Sequence, residues 1–311
     1  MSTVRWGNKA LPLTILLMAA PAVQAQKPVT PASAPAPVPV KPPAGSVGGI
    51  GDVNLYPKRV VINERQRIAT VGLFNRALAS GDYDITLTDQ MMTVEGKIVA
   101  LSSVADPALR AKVKAASELL RWSPHRVTLA GNEAQTVRIM ARIPPDLAPG
   151  EYRSHFTAIA VPSESVGGLS IENAAAPPQP GKIGVTIVPR FGISIPIILR
   201  VGETTLTAGL TGLKLQTLPG GGKAMVLTIT RQGTRSAFGD ISITAAGAKK
   251  ALAEVKGVGV YTEIDHRLLT IAIDPLAEAR FTAPGARLTV TYTDDDANPG
   301  KVLSRQDFTV P

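Results

Sequence analysis

The 311-residue chain contains no cysteine. Disulfide frameworks, thiolate metal sites and cysteine nucleophiles are thereby excluded, and the folded cores must carry stability alone. Aromatic residues make up only 4% of the sequence, so those cores must be aliphatic. The three histidines, His125, His155 and His266, lie far apart. No Gly-x-Ser-x-Gly elbow and no His-Glu-x-x-His helix is present. No nucleophile stands at a readable spacing from a general base. His155, which alternates with Arg153, reads as a rim residue of a strand. These absences point away from an enzyme. Basic residues outnumber acidic ones, 33 to 24, but they are dispersed. That is a general bias toward anionic partners without a nucleic-acid stripe.

The N-terminus has the layout of a secretory signal. Arg5 and Lys9 form a positive region, Leu11–Ala20 an apolar core, and Val23-Gln24-Ala25 a small-residue cleavage site. The expected signal is residues 1–25. The apolar run is too short for a comfortable bilayer span, and no later one reaches the ~18 residues a membrane helix needs. The mature chain is expected to be exported, with no integral membrane segment after cleavage. Residues 26–51 are rich in proline and alanine and read as an extended, disordered linker. The remaining ~260 residues suffice for two domains.

Short alternating segments then recur with turn signals between them. They run Val53–Leu55, Arg59–Ile62, Ile68–Phe74, Tyr83–Thr88, Ile98–Leu101, Val127–Leu129, Gln135–Arg142 and Tyr152–Ala160. Thr93–Lys97 reads as a hairpin tip. Seven more follow after residue 201: Leu210–Gln216, Ala224–Arg231, Gly239–Ala245, Gly257–Ile264, Leu268–Ile273, Arg287–Thr293 and Val302–Val310. This cadence predicts an all-β chain of two immunoglobulin-like sandwiches in tandem, spanning 52–200 and 201–311. One interval differs. Leu109, Val113, Ala116 and Leu120 stand at helical spacing behind Asp106-Pro107, which suits a capped helix start. Ser163–Gly181 is a Gly-, Pro- and Ala-rich loop of nineteen residues, a length uncommon in compact domains.

The segment Lys182–Arg200 carries the strongest signal. Ile183, Val185 and Ile187, then Phe191, Ile193, Ile195, Ile197 and Leu199, alternate as in a strand with one buried face. Pro189 and Pro196 lie inside it. Proline cannot donate to a ladder, so this strand belongs at an edge or a bend. A long apolar edge is an aggregation hazard unless another chain covers it. The alternative is an internal strand of a closed sandwich.

Several ordered motifs give the first half a resemblance. Pro57-Lys58-Arg59-Val60-Val61 opens it. Pro124, Val127, Leu129, Gln135, Val137 and Arg138 follow at fixed spacing, and then Gly150-Glu151-Tyr152-Arg153-Ser154-His155. Over about residues 53–200 the chain resembles the periplasmic pilus-assembly chaperones. Ser236–Ile243 (SAFGDISI) and Gly257–Asp265 (GVGVYTEID) look like the second domain of their archaic branch. The resemblance implies a location in the periplasm and a non-enzymatic chaperone that lends an edge strand to incomplete pilus or fimbrial subunits and passes them to an outer-membrane usher. No cofactor and no metal is implied. Lent side chains would be Ile183, Val185, Ile187, Phe191 and Ile193, each worth ~1.5–3 kcal/mol when fully buried. The family holds the subunit's terminal carboxylate with two cations. The first matches Arg59, which could equally be an ordinary surface arginine. The second is a lysine on the lending strand. This chain has none between Ile183 and Arg200, so Arg190 is the nearest substitute, and a guanidinium can grip a carboxylate bidentately. An unprotected edge would also favour self-association of the free protein.

Three other features are read more plainly. Asp294, Asp296 and Asn298 could offer three oxygens to calcium, but Pro299 and Arg305 break the EF-hand pattern, leaving an acidic hairpin turn. Gly220-Gly221-Gly222 lacks the lysine-serine end of a phosphate loop. The alternative function is an exported envelope sandwich, structural or adhesive, without a client. A carbohydrate-active module would need carboxylates converging in a cleft.

Overall fold

The computed structural model describes residues 46–48, 51–162, 190–276 and 279–311. The signal segment, most of the Pro/Ala linker, the loop Ser163–Gly181 and the strand positions Ile183, Val185 and Ile187 lie outside the described residues.

The first part of the chain carries strands β1 (Val47–Gly48), β2 (Val53–Tyr56), β3 (Val60–Asn63), β4 (Ile68–Asn75), β5 (Gly81–Thr88), β6 (Gln90–Met92) and β7 (Ile98–Ala100). It continues with β8 (Leu120–Ser123), β9 (Arg126–Leu129), β10 (Ala134–Ala141), β11 (Gly150–Val161) and β12 (Gly192–Val201). Two five-stranded sheets, ordered β1-β2-β4-β10-β8 and β3-β12-β11-β5-β9, face each other. Alternation supplies the core: Leu55, Ile62, Val71, Leu73, Ile85, Leu129, Ile139, Phe156, Ile195, Ile197 and Leu199 are sealed between them. The pair β6–β7 forms a separate hairpin whose turn places Gly96 at φ 79°, the left-handed region that glycine enters freely.

The second part carries β13 (Leu206–Thr217), β14 (Lys223–Gly233), β15 (Ala237–Ala245), β16 (Ala253–Val260), β17 (His266–Ala272), β18 (Arg287–Asp294) and β19 (Val302–Thr309). Sheets β13-β14-β17 and β16-β15-β18-β19 make a seven-stranded immunoglobulin-like sandwich. Its core holds Leu227, Ile229, Ile241, Ile243, Val290 and Tyr292. Ile198 from β12 and Met92 from β6 also belong to this second core. The two sandwiches are thus joined by shared packing as well as by chain.

Two elements depart from the periodicity. The helix expected from Asp106 to Leu120 stops early: α1 is Pro107–Ala111 only. Asp106 caps it as expected, its Oδ1 accepting from Ala108 N at 2.8 Å. Beyond it, Lys114 O accepts from Arg153 N (2.9 Å) and Ala116 N donates to Arg153 O (3.3 Å). Pairing with β11 wins the backbone groups that a longer helix would have used. The strand expected over Gly257–Ile264 lies instead at Ala253–Val260. The carbonyls of Thr262 and Ile264 are taken by the Arg231 guanidinium, at 3.1 Å each, and a turn closes from Ile264 N to Tyr261 O.

The chain changes sheet between β2 and β3. Val53–Tyr56 pairs with β4 in one sheet, and Val60–Asn63 pairs with β12 in the other. The four residues Tyr56-Pro57-Lys58-Arg59 make that crossing. It fixes where β3 can begin, and so how much of β12 it can cover.

Candidate functional site: an open strand flank ending at a charged junction

β12 pairs along its whole length with β11, from Gly192 opposite Ile159 to Val201 opposite Gly150. On its other side β3 runs parallel and matches only Ile197–Arg200, with Val60 opposite Ile197. Among the described residues no strand pairs with Gly192–Pro196 on that flank. The Phe191 carbonyl accepts from Ala160 N at 2.8 Å, which puts the odd-numbered residues in hydrogen-bonded positions toward β11. By alternation Gly192, Ser194 and Pro196 aim their backbone groups at the open side. Pro196 has no N–H to leave stranded there, which is how proline is tolerated inside a strand.

Side chains along this strand divide sharply. Ile195, Ile197 and Leu199 fill the first core. Ile193 is 7% exposed and joins them, so it is corrected from a lent side chain to a core one. Its odd position points it between its own sheets. Phe191, one step beyond the end of the strand, is 42% exposed.

The open flank ends at Arg59, level with Pro196 one position before Val60. The Arg59 guanidinium lies 4.2 Å over the Phe238 ring, and its Nη2 donates to the Asp295 carbonyl and to Asp295 Oδ1, both at 3.0 Å. Lys58 Nζ reaches Asp295 Oδ2 at 2.5 Å. Asp296 pairs with Arg200 and lies 3.8 Å from Arg59 and 3.7 Å from Arg235. The acidic turn weighed above for calcium thus spends its carboxylates on four cations. Burial raises the Asp295 carboxyl, but Lys58 and Arg59 outweigh it and hold the group below the usual carboxylate range.

Arg190 is elsewhere. It sits on the surface, donating to Asp84 Oδ2 at 3.2 Å and to Ala160 O at 3.4 Å. Six strand positions separate it from the level of Arg59, about 20 Å at strand rise. One carboxylate cannot touch both, so the pairing of Arg59 with Arg190 is corrected. Lys58, beside Arg59 in the chain, shares Asp295 with it.

Sequence reasoning also missed the charges buried behind the junction. Glu151, Arg153 and His155 alternate on one face of β11 and are all sealed. Glu151 Oε2 accepts from Ser236 N and from Arg200 Nε, both at 3.2 Å. Arg153 Nη2 donates to Glu263 Oε1 at 2.7 Å, and its guanidinium lies 3.6 Å over the Tyr261 ring. Glu263 also accepts from Met92 N at 2.7 Å. His155 has no hydrogen-bond partner at either ring nitrogen. Burial first, and then the Arg153 charge, push its pKa down to about 3, so the ring is neutral. Charged residues at i, i+2 and i+4 of an otherwise apolar strand were the available signal: such a face must meet partners or water. The residues Gly150–His155, Ser236–Ile243 and Gly257–Asp265, which carried the resemblance in both halves, meet here.

A cleft of about 580 Å³ lies under the β6–β7 hairpin, with Met91, Val94, Leu109 and Ile264 on its walls. Its two carboxylates are engaged, Glu263 by Arg153 and Asp265 by His266. Among the described residues no three potential metal ligands cluster, and no helix is long and apolar enough to cross a membrane.

No family model matches the sequence, and no curated protein does. Solved structures do align with most of the chain. The YadV chaperone aligns over 83% of this chain and 99% of its own, at 14% identity and a TM-score of 0.40. The CupB2 chaperone of Pseudomonas aeruginosa aligns over 81% and 97%, at 12% identity and 0.38. The CsuC–CsuE chaperone–tip adhesion subunit pre-assembly complex, from archaic chaperone-usher Csu pili of Acinetobacter baumannii, aligns over 81% and 96%, at 11% identity and 0.40. Likeness at this level adds no functional weight to the geometry.

Proposed function

We propose that this protein is a periplasmic chaperone that lends the edge of β12 to pilus or fimbrial subunits and hands them to an outer-membrane usher. The single observation that carries the reading is the one-sided pairing of Gly192–Pro196. That flank offers backbone donors and acceptors to a foreign strand at the level where β3 leaves β12 uncovered. Its length, five residues or about 17 Å, matches a short guest strand. The guest would lie in line with β3 and parallel to β12, with its terminal carboxylate abutting Arg59. Ile183, Val185, Ile187 and Phe191 would extend the apolar contact beyond the described edge. The chemistry is binding without bond making, so no cofactor takes part.

The geometry also explains why the edge stays fixed while a guest docks. Arg59 is stacked on Phe238, and Glu151 and Arg153 reach residues of the second sandwich. These contacts hold the junction rigid, which reduces the ordering cost of association.

The test is capture from an envelope extract, with mass spectrometry of the bound protein. A small β-rich subunit should co-purify with the wild-type chain. Val185→Asp and Ile187→Asp should each abolish the capture while thermal unfolding of the isolated protein stays unchanged. Equal capture by these variants would rule out strand lending.

A further inference from the structure

We infer that Lys58 and Arg59 together form the grip for a chain-terminal carboxylate, and that Asp295 is its resident internal occupant, expelled when a ligand carboxylate arrives. The inference rests on the strand-lending reading and names the second cation and the regulation of that site.

The geometry is that of a bridging carboxylate. One Asp295 oxygen contacts Arg59 Nη2 at 3.0 Å and the other contacts Lys58 Nζ at 2.5 Å. A terminal carboxylate arriving along β12 would use the same two donors in the same way. The site is reachable. The Lys58 side chain is 44% exposed and Asp295 keeps 14%, whereas Arg59 keeps 9%. Both hydrogen bonds from the Arg59 guanidinium to Asp295 leave from Nη2.

Asp295 can leave without unmaking its turn. The neighbouring Asp294 builds that turn: its Oδ1 accepts from Asp296 N (2.7 Å) and its Oδ2 from Asn298 N (3.2 Å). Backbone bonds from Asp294 N to Lys301 O and from Gly300 N to Asp294 O close it. Asp296 ties the turn to Arg200 and Arg235. The Asp295 carboxylate takes part in none of these bonds. It bridges the two cations of the grip, and at neutral pH it is ionised and competes with any anion that seeks them. An empty pair of adjacent cations would otherwise attract unspecific anions in a basic protein. With Asp295 in place, a ligand succeeds only if its strand contacts add to its charge.

The experiment uses the full chain and two synthetic ten-residue peptides of alternating valine and threonine, identical except that one ends in a free carboxylate and the other in an amide. Affinities are measured by titration calorimetry, with thermal unfolding as a check on each variant. The acid peptide should bind more tightly than the amide. Asp295→Asn should tighten the acid peptide about tenfold, and Lys58→Gln should weaken it about tenfold, the size of one charge-assisted contact. Neither variant should alter binding of the amide, and Arg190→Gln should alter neither peptide. If acid preference depends on Arg59 but is indifferent to Lys58→Gln and Asp295→Asn, this inference is overturned and strand lending stands. If the two peptides bind equally throughout, the carboxylate grip is gone and edge pairing alone remains. If neither binds, both readings fall.

Discussion

The two halves of β12 are alike in composition and opposite in circumstance. Ile193 and Ile195 precede Pro196 as Ile197 and Leu199 follow it, and all four fill the same core. Yet the second half is hydrogen-bonded on both sides, and Ile198 reaches through to the second core. Among the described residues the first half is bonded on one side only. What separates them is the neighbour and not the side chains: β3 arrives from another sheet and cannot begin before Val60. Availability of a strand is a property of its backbone flanks, which hydrophobicity does not report.

Four substitutions or titrations probe this contrast. The largest effect belongs to the closed half, where Arg153 stands opposite Ile198 in register. Glu263→Ala would leave the Arg153 guanidinium buried without its carboxylate and should destabilise the protein by about 3–5 kcal/mol in denaturant unfolding. Ile198→Ala, which empties part of the shared packing, should cost about 2–4 kcal/mol by the same measurement.

His155 stands opposite Pro196, at the boundary between the halves. Its folded form binds a proton only near pH 3, whereas an unfolded imidazole does so near the usual 6.5. Between those values the unfolded chain holds more protons, so stability falls as pH is lowered through that window. The slope from this group approaches ~1.4 kcal/mol per pH unit. Unfolding curves for His155→Phe should show that slope removed between pH 6 and 4.

The smallest effect on stability belongs to the open half. Ser194→Pro removes an N–H aimed at the empty flank and the Ser194 contact to Thr157 at 3.0 Å. The cost should stay under ~1 kcal/mol, because proline is tolerated on strand edges. Guest capture should nevertheless fall at least tenfold. A large stability loss with intact capture would show that the flank is closed in solution.

Much of this architecture was legible in the residues. Alternation located most of the long strands but set β16 four residues late, and Pro196 lies where β3 stops covering β12, the second strand of its sheet. The motif drew attention to Arg59, which the structure places at the end of the uncovered stretch. What stayed hidden depended on distant partners. The helix behind Asp106 was over-read because its apolar spacing continues to Leu120, while Arg153, some forty residues away, takes over the backbone at Ala115. Arg190 was taken as the second cation because the search was confined to the strand Ile183–Arg200, which holds no lysine. Register places Arg190 at the far end of the strand, whereas Lys58 shares Asp295 with Arg59. Glu151 and Arg153 could have been flagged as an alternating charged face, but Ser236 and Glu263, their partners in the second sandwich, lie about 80 and 110 residues further on.

The four-residue crossing from Tyr56 to Arg59 has a metrical consequence. It sets a zero mark from which positions on the neighbouring ribbon are counted. A foreign segment whose last atom stops at that mark has its phase dictated, since every second side chain must then face the same way all along its length. Guests with an extra residue before their final carboxyl group would present the opposite face throughout. The protein would thus select partners by the parity of their endings, a form of discrimination that needs no pocket shaped for any one side chain.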